Sequence, residues 1–380
     1  STLVLERGKP YPPGSFARSP HQMRRTFWDP TQGLFGLFDF WSFVGLDVLV
    51  SSGLGGGSLI YANVLLRKDE RWFAKEDLQA GGFEYWPVTR EDLDPHYDRV
   101  EEVLAPQTYP SEHEPYSQTP KTIAFREAAE RVGLDWFAPP LGVVFGNDGE
   151  DPAPGVPIRE PEPNLHGAPR YTCRLTGECD LGCNYGSKNT LDFTYLSRAQ
   201  RAGAEIRTRC EVRALEPLDG GGYRVHYAAY DPDREGEPVD VFDPSVAKHV
   251  VTADRLVLAG GTLGTTRLLL RNRAAFPRIG RPLGTRFCGN GDLLTFAVRC
   301  SDETPDGRVP RTIDPGYGTV ITTAVRMADQ LDGDGDGRGF YLEDAGFPVF
   351  LTWLIQAIET PSNLWRLRTV LLRLMRERLR

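Results

Sequence analysis

The spacing of apolar and polar residues predicts short strands that alternate with helices along the chain. The apolar run Leu3–Leu5 ends at Glu6, a pattern typical of a buried parallel strand. The run 256–259 has the same character and leads into a glycine turn. Further strands are predicted at 205–208, 212–215 and 223–230, and helices at 59–67, 90–104, 123–132, 190–202, 265–271 and 361–380. This alternation indicates an α/β fold, and the long irregular stretches indicate a second, interleaved domain.

The composition argues against a nucleic-acid-binding protein. The chain has 380 residues, of which 40% are hydrophobic and 25% charged, and its net charge is −8. A protein that binds nucleic acid needs a basic face, which an acidic chain does not favour. No apolar run reaches the ~18 residues of a membrane-spanning helix and no signal peptide is visible. The sequence leaves both a cytoplasmic and a secreted location open.

Two glycine-rich turns are candidate ligand-binding segments. The first occupies residues 53–58 and is followed by Tyr61, Ala62 and Asn63. Glycine lets the main chain approach a bulky ligand because no Cβ intervenes, and successive amide groups can donate to anionic oxygens. The second, at 260–261, leads into a predicted helix whose N-terminus favours phosphate. Each turn taken alone also fits ordinary chain reversal.

Three stretches of the chain resemble the flavin-binding segments of one enzyme family. They are Leu-Glu-Arg-Gly at 5–8, Gly-Gly-Gly-Ser at 55–58 and Ala-Gly-Gly-Thr-Leu-Gly-Thr-Thr-Arg-Leu-Leu-Leu at 259–270. In order and spacing they are similar to cholesterol-oxidase-like members of the glucose–methanol–choline class of oxidoreductases. The resemblance implies FAD as cofactor, held in a Rossmann-like domain interleaved with an α+β substrate domain that contains an antiparallel sheet.

The resemblance also implies roles for individual residues. Glu6 would hold the adenosine ribose, as a strand-end carboxylate does in dinucleotide-binding units. Val212 would meet adenine through its main chain, and Gly260 and Gly261 would close over the dinucleotide. The residues expected along the pyrophosphate and the flavin ring are Gly55, Gly56, Gly57, Ser58, Tyr61, Ala62, Asn63 and Asn290.

The same resemblance predicts how the chain divides. Residues 1–75 and 165–292 are expected to form the FAD-binding domain, and 76–164 and 293–380 the substrate domain. The family's phosphate-binding glycines belong about 20 residues before Glu6, and its essential histidine and asparagine follow the substrate domain. Neither segment has a counterpart in this sequence. We therefore expect a chain truncated at both ends and inactive by itself.

A cluster of cysteines raises the question of a metal. Cys173, Cys179 and Cys183 are close enough in sequence for an iron–sulfur cluster or zinc, and some flavin dehydrogenases of this class carry a three-iron cluster on similarly spaced cysteines. However, a Cys-x2-Cys pair is missing and no histidine follows at ligand spacing. The sequence favours a buried cysteine-rich turn, and no metal ligand is predicted.

An acidic segment offers two uses for Glu343. Residues 332–343 match the spacing of a calcium-binding loop. That loop needs flanking helices, whereas residues 340–342 predict a strand and Gly339 occupies a normally apolar position. By the resemblance, Glu343 would instead be the base of the substrate pocket, where burial raises the pKa of a carboxyl group into a useful range. A non-catalytic module that binds calcium or another metal, through this loop or the cysteines, is the alternative function.

Two segments carry apolar side chains whose use the sequence leaves open. The aromatic stretch 35–43 suits core packing, a lid over an apolar substrate, or insertion into a membrane. The basic amphipathic helix predicted at 361–380 packs on the substrate domain or lies on a membrane. The expected partners are a small hydrophobic alcohol, oxygen or an electron carrier as acceptor, and, through these segments, a membrane surface.

Overall fold

The chain forms two compact units, each assembled from separate segments of the sequence. The computed structural model describes residues 1–44, 46–76, 81–285, 287, 289, 291–297, 300–329, 332 and 339–351. Unit 1 comprises Ser1–Tyr61, Arg159–Arg170 and Leu181–Asp292; unit 2 comprises Ala62–Ile158, Tyr171–Asp180 and the described residues from Leu293 onward. Asn290 and the helix predicted at 361–380 lie outside the described residues.

The regular elements are short, except for three helices of 11 to 15 residues. In chain order the strands are β1 Leu3–Leu5, β2 Trp28–Asp29, β3 Leu34–Phe35, β4 Phe38–Phe43, β5 Leu46–Ser51, β6 Ala74–Glu76, β7 Phe83–Tyr85, β8 Gln107–Thr108, β9 Trp136–Phe137, β10 Pro140–Leu141, β11 Glu205–Arg207, β12 Cys210–Pro217, β13 Tyr223–Ala229, β14 His249–Ala253, β15 Ser301–Thr304, β16 Gly307–Pro310, β17 Ala324–Met327 and β18 Phe340–Glu343. The α-helices are α1 Pro20–Met23, α2 Arg90–Leu104, α3 Pro120–Arg131, α4 Ser197–Arg201 and α5 Gly261–Arg271, with a π-helical turn at Asp192–Leu196 before α4.

Unit 1 contains a parallel strand pair and an antiparallel meander. β1 pairs in parallel with β11, with Leu3 opposite Glu205, and β12, β13 and β14 follow as an antiparallel sheet. The hairpins β2–β3 and β4–β5 complete its pairings. One buried cluster comprises Tyr11, Phe16, Leu37, Phe38 and Leu59, and a second comprises Trp28, Phe35, Ala228 and Tyr230. The first cluster lies next to the glycine-rich loop, because Leu59 directly follows the loop in sequence.

Unit 2 is built around a small antiparallel sheet and an aromatic cluster. The sheet has the order β18–β17–β9, and β6–β7, β8–β10 and β15–β16 form separate pairs. The rings of Tyr109, Tyr116 and Phe145 meet edge to face at centroid distances of 5.5–5.7 Å. Edge-to-face contacts of this kind stabilise by about 0.5–1.5 kcal/mol each beyond the burial of area.

Most of the predicted elements are confirmed, as are the α/β composition and the antiparallel sheets. β1 and the β12–β13 hairpin form where the sequence predicts them, and α2 has the predicted bounds. A capping box fixes the start of α2: the Thr89 side chain accepts from the Asp92 main chain, and the Asp92 carboxylate accepts from the Thr89 N–H.

Two predicted elements are wrong. Residues 60–67 do not form a helix, because Asn63 takes a left-handed φ of 75° and Val64 pairs with Leu141 as an antiparallel bridge. Residues 256–259 are irregular, and Val257 is 86% exposed. A buried parallel strand requires neighbours that complete its hydrogen-bond ladder, and no described strand pairs with this run.

The aromatic stretch 35–43 divides between core and surface. Phe35 and Phe38 are buried and fill the two clusters of unit 1. Phe40 and Phe43, farther along β4, are 61% and 49% exposed. The prediction of core packing therefore holds for the first half of the stretch only.

Candidate functional site

The end of β1 lies against the start of the glycine-rich loop. A Cβ built on Gly8 would be 2.2 Å from the main-chain carbon of Ser52, so only glycine fits there. Lys9 and Gly53 form a parallel bridge, and the Leu54 N–H donates to the Lys9 oxygen over 3.1 Å. Two motifs separated by about fifty residues of sequence are thereby brought into contact.

Glu6 is half-buried at this junction. One of its carboxylate oxygens accepts a 2.7 Å hydrogen bond from the main-chain N–H of Gly8. Burial raises the pKa of the Glu6 carboxyl, although this hydrogen bond and the charge of Arg7 oppose the shift. A carboxylate has acceptor capacity beyond one such bond, so Glu6 can also receive hydrogen bonds from ligand hydroxyl groups.

The glycine-rich loop is tightly turned and open on one side. Gly55 has a φ of +117° and begins the 3₁₀ turn Gly56–Leu59. A Cβ on Gly56 or Gly57 would meet no atom of the described residues within 4 Å, so space lies beside both residues in this part of the structure. The Ser58 hydroxyl donates to the Gly55 oxygen over 2.7 Å and accepts from the Leu191 N–H over 2.9 Å. Ser58 therefore braces the loop against the segment around Leu191.

Lys188 holds the chain that follows the loop, a role that the sequence did not reveal. Its side chain is 1% exposed, and its Nζ donates to the main-chain oxygens of Leu59, at 3.2 Å, and Tyr61, at 2.9 Å. The ammonium group also lies 4.7 Å from the centre of the Tyr61 ring. Both carbonyl groups belong to the exit from the loop, so Lys188 fixes the path of the chain there.

A buried histidine–aspartate pair also escaped the sequence analysis. His166 Nε2 lies 2.8 Å from Asp192 Oδ2, and the two side chains are 4% and 1% exposed. The Thr190 hydroxyl donates to the other oxygen of Asp192. A neighbouring cavity, with room for about one water molecule, is lined by Tyr11, Phe16, Leu59, Cys183, Lys188, Thr190, Asp192 and Phe193.

The remaining cofactor candidates of unit 1 lie on two other elements. Val212, on β12, lies opposite Tyr227, on β13. The register of this strand pair shifts between Val212 and Ala214. Gly260 and Gly261 begin α5 and are exposed, and a Cβ on Gly261 would meet no atom within 4 Å. Asn290 is outside the described residues.

Asn63, in unit 2, has a buried side-chain amide whose hydrogen-bonding groups are not satisfied by the described residues. Its main-chain oxygen accepts from the Gly142 N–H over 2.8 Å. Its side-chain amide is fully buried, and neither the oxygen nor the nitrogen has a hydrogen-bond partner among the described residues. A buried polar group without a partner costs about 1–3 kcal/mol, so a ligand that supplies the missing partner would bind there with advantage.

Glu343 ends β18 on an aromatic face of the sheet in unit 2. It is half-buried and lies opposite Ala324, which in turn lies opposite Phe137 on β9. Opposed residues of an antiparallel pair project to the same face, so Glu343 shares a face with Phe137. Tyr341, two residues earlier, is on this face too and packs on Phe137 and Trp72 at centroid distances of 6.2 and 5.2 Å.

Asp344 anchors the chain immediately after Glu343. Its Oδ1 accepts from the N–H groups of Thr322 and Thr323, each over 2.8 Å, and its Oδ2 accepts from the Thr322 hydroxyl and from Lys121. Burial lowers the pKa of Lys121, and the charge of Asp344 opposes that shift. This buried network fixes the backbone that presents Glu343.

The three clustered cysteines belong to two different units. Cys173 packs among the aromatic residues of unit 2, Cys179 packs with Val320, and Cys183 belongs to unit 1. Within the described residues, no group of three or more histidine, cysteine or acidic side chains is arranged to hold a metal ion.

The first aspartate of the acidic segment is paired with arginines. Asp332 accepts two hydrogen bonds from Arg326, at 2.9 and 3.0 Å, and one from Arg71, at 2.5 Å. The bonds from Arg326 hold the pKa of Asp332 well below its usual range. The flanking elements β17 and β18 are antiparallel strands, not the helices of a calcium-binding loop. Residues 333–338 lie outside the described part of the chain.

The chain is similar to cholesterol oxidases. The cholesterol oxidase of Mycobacterium tuberculosis, in the strains CDC 1551 / Oshkosh and ATCC 25618 / H37Rv, is 30% identical over 326 residues, which cover 85% of this chain and 51% of that protein. The cholesterol oxidase of Acinetobacter baumannii is 27% identical over 307 residues, covering 77% of this chain and 50% of that protein.

The chain spans about half the length of the curated relatives it matches. No family model matches the chain. Among the described residues, no helix combines the length and the apolar character needed to cross a bilayer.

Proposed function

We propose that the chain is part of an FAD-dependent oxidoreductase of the glucose–methanol–choline class that oxidises a CH–OH group of a hydrophobic, sterol-like alcohol. The observation that carries this proposal is the close approach of Gly8 to Ser52, which joins the chain that follows Glu6 to the start of the glycine-rich loop. An adenosine ribose needs a carboxylate acceptor, and a pyrophosphate needs main-chain N–H groups with no side chain in the way. The similarity to cholesterol oxidases supports the same assignment.

The residues of the glycine-rich loop suit a dinucleotide cofactor. If Gly56 or Gly57 carried a Cβ, that atom would have no atom of the described residues within 4 Å. A cofactor that lies along the loop needs open space of this kind. In this proposal unit 1 is the Rossmann-like FAD domain.

Each candidate residue has a defined task in holding the cofactor. Glu6 accepts hydrogen bonds from the ribose hydroxyls, and Val212 contacts adenine through its main chain. Gly260 and Gly261, at the N-terminus of α5, close over the dinucleotide. The residues that follow the pyrophosphate and the flavin ring are Gly55, Gly56, Gly57, Ser58, Tyr61, Asn63 and Asn290.

The chemistry divides between the cofactor and one side chain. FAD, when bound, supplies an acceptor for the hydride that leaves the carbinol carbon. Glu343 takes the proton from the substrate hydroxyl, so that an alcohol becomes a carbonyl compound. Its neighbours Tyr341 and Phe137 give that face of the sheet an aromatic surface against which an apolar alcohol can pack. Oxygen or an electron carrier would be the final electron acceptor.

A metal-binding module is the less supported alternative. The Asp332 carboxylate is already held by Arg326 and Arg71, and calcium would have to displace both guanidinium groups. Cys173 and Cys179 are packed among apolar side chains.

The decisive experiment is identification of the bound cofactor. The protein is expressed from its complete reading frame, and the released cofactor is compared with FAD and FMN standards by absorbance and chromatography. We expect a yellow protein that contains FAD. A folded protein that is colourless and takes up no added FAD would overturn the proposal.

A pair of glycine variants tests the place of the loop. Gly56 and Gly203 both have positive φ, +56° and +91°, and a Cβ on either would meet no atom within 4 Å. Gly56→Val and Gly203→Val therefore both impose backbone strain, and only the first puts a side chain into the loop. We expect Gly56→Val to lose FAD and Gly203→Val to keep it; equal FAD content in both would place the cofactor elsewhere.

A further inference from the structure

We infer that His166 and Asp192 form a positioning pair that holds the glycine-rich loop in its cofactor-binding conformation. The inference rests on the proposed function, because it assigns these residues to the FAD site of unit 1. Neither residue belongs to a motif that the sequence analysis connected with the loop.

The geometry fixes the Asp192 carboxylate from two sides. His166 Nε2 lies 2.8 Å from Oδ2, and the Thr190 hydroxyl donates to Oδ1. An ionised carboxylate only accepts hydrogen bonds, so His166 carries its proton on Nε2 in this contact. A carboxylate that is 1% exposed has almost no contact with bulk water that could replace these donors. Its orientation therefore depends on both partners.

Asp192 is in turn placed against the turn of the loop. Its Oδ1 lies 3.2 Å from the position that a Cβ on Gly55 would occupy, and Gly55 carries the strained φ of +117°. The preceding residue, Leu191, donates its N–H to Ser58 Oγ, which itself donates to the Gly55 oxygen. The segment Thr190–Asp192 thus contacts both the start and the end of the 55–58 turn.

The two sides of the loop differ in the space beside them. The inner side faces Asp192, and the cavity there has room for about one water molecule only. The outer side, beside Gly56 and Gly57, is open. A dinucleotide has room on the outer side only, so the inner contacts are free to set the shape of the loop.

His166 is itself held rigidly enough to serve as a support. The Asn164 side chain accepts from the His166 N–H over 3.1 Å, and the imidazole meets the Phe193 ring edge to face at 5.4 Å. Ser197 Oγ accepts from the Leu165 N–H over 2.9 Å and donates to the main-chain oxygen of Asp192 over 2.5 Å. These bonds tie the segment around His166 to the π-helical turn that Asp192 begins, and π turns are frequent at functional sites.

The test compares two replacements of His166 in the protein expressed from its complete reading frame. His166→Gln keeps an N–H donor at about the position of Nε2, whereas His166→Leu fills the space without a donor. Both lose the ring contact with Phe193, so packing effects are matched. The dissociation constant for FAD is measured by titration of the cofactor-free protein, and the melting temperature of that protein is measured in parallel.

We expect His166→Leu to weaken FAD binding by about tenfold or more, the scale of one lost hydrogen bond to a charged group, and His166→Gln to restore most of the affinity. Equal losses in the two variants would show that the ring contact matters and not the donor, which overturns the inference. Unchanged affinity in both would overturn it as well. A wild-type protein that binds no FAD would instead refute the proposed function.

A second variant keeps the test decisive if His166→Leu does not fold. Thr190→Val preserves shape and removes the hydroxyl donor to Asp192 Oδ1. We expect it to weaken FAD binding in the same direction, with a smaller change in the melting temperature of the cofactor-free protein than His166→Leu causes. FAD affinity equal to that of the wild type would contradict the role of Asp192 in positioning the loop.

Discussion

The Lys188 ammonium group donates a 2.9 Å hydrogen bond to the main-chain oxygen of Tyr61, 127 residues earlier in the chain. It also donates to the Leu59 oxygen, and the side chain is almost completely buried. One cation therefore satisfies two main-chain oxygens at the exit from the glycine-rich loop. Since this loop is the proposed cofactor site, stability and cofactor binding are connected through Lys188.

The first prediction concerns that connection. Lys188→Met retains most of the side-chain volume and leaves the two carbonyl oxygens without this donor, at a cost of about 1–3 kcal/mol for a buried group that loses its partner. We expect a lower free energy of unfolding in urea and weaker retention of FAD on gel filtration. Lys248→Met, at an exposed position, is the matched control and should change neither. Full FAD retention in Lys188→Met would contradict the role of Lys188 at the loop.

The second prediction concerns the pH dependence that Glu6 introduces. Because burial raises its pKa in the folded protein, the folded cofactor-free protein binds more protons than the unfolded chain. The contribution of Glu6 to stability is fully present below the ordinary pKa of 4.5 and is lost as the pH rises through the raised value. Urea midpoints measured across this range should fall more steeply for the wild type than for Glu6→Gln.

Cofactor binding should show the opposite slope. Ribose hydroxyls donate to the ionised carboxylate, so FAD affinity should increase as the pH rises through the raised pKa of Glu6. In Glu6→Gln that increase should be absent. Parallel pH profiles of FAD affinity in the two proteins would remove Glu6 from the ribose site.

The third prediction concerns the buried pair Lys121–Asp344. Removing one partner of such a pair leaves an uncompensated charge and typically costs about 3–5 kcal/mol. We expect Lys121→Met to destabilise unit 2 on this scale in urea unfolding. The double variant Lys121→Met/Asp344→Asn removes the second charge and should recover part of the loss. Additive losses in the double-mutant cycle would show that the two side chains are not coupled.

The fourth prediction tests Glu343 as a base. Glu343→Gln keeps the shape of the side chain and removes its proton affinity, so sterol-like alcohol oxidation should fall by about 100-fold or more. FAD content should be unchanged. Glu303→Gln, at an exposed site on β15, controls for the loss of one carboxylate. A Glu343→Gln protein that retains wild-type turnover would exclude Glu343 as the base.

The fifth prediction separates the proposed function from the metal-binding alternative. Since two arginines hold Asp332, calcium should not raise the melting temperature of the protein beyond the effect of magnesium at equal concentration, and a chelator should not lower it. Calcium stabilisation of the wild type that disappears in Asp332→Asn would show a metal site in the acidic segment.

Local sequence patterns determined the elements whose signals lie within a few residues. The apolar run before Glu6 gave β1, the Thr89–Asp92 pattern supports the start of α2, and the alternation on either side of 219–222 gave the β12–β13 hairpin. The glycine-rich loop and the chemistry proposed for it were likewise visible in the sequence. Period, caps and glycine positions act over one or two turns of chain, which is why they can be recognised without a structure.

The tertiary structure alone decided which of these pieces meet and what supports them. The approach of Gly8 to Ser52 joins two motifs, and the pairs Lys188–Tyr61 and His166–Asp192 span 127 and 26 residues of sequence. The helix expected at 59–67 failed because Val64 finds an extended partner in Leu141, far along the chain. Such contacts depend on the path of the whole chain, and burial then makes each partner indispensable, because a buried polar group cannot turn to water instead.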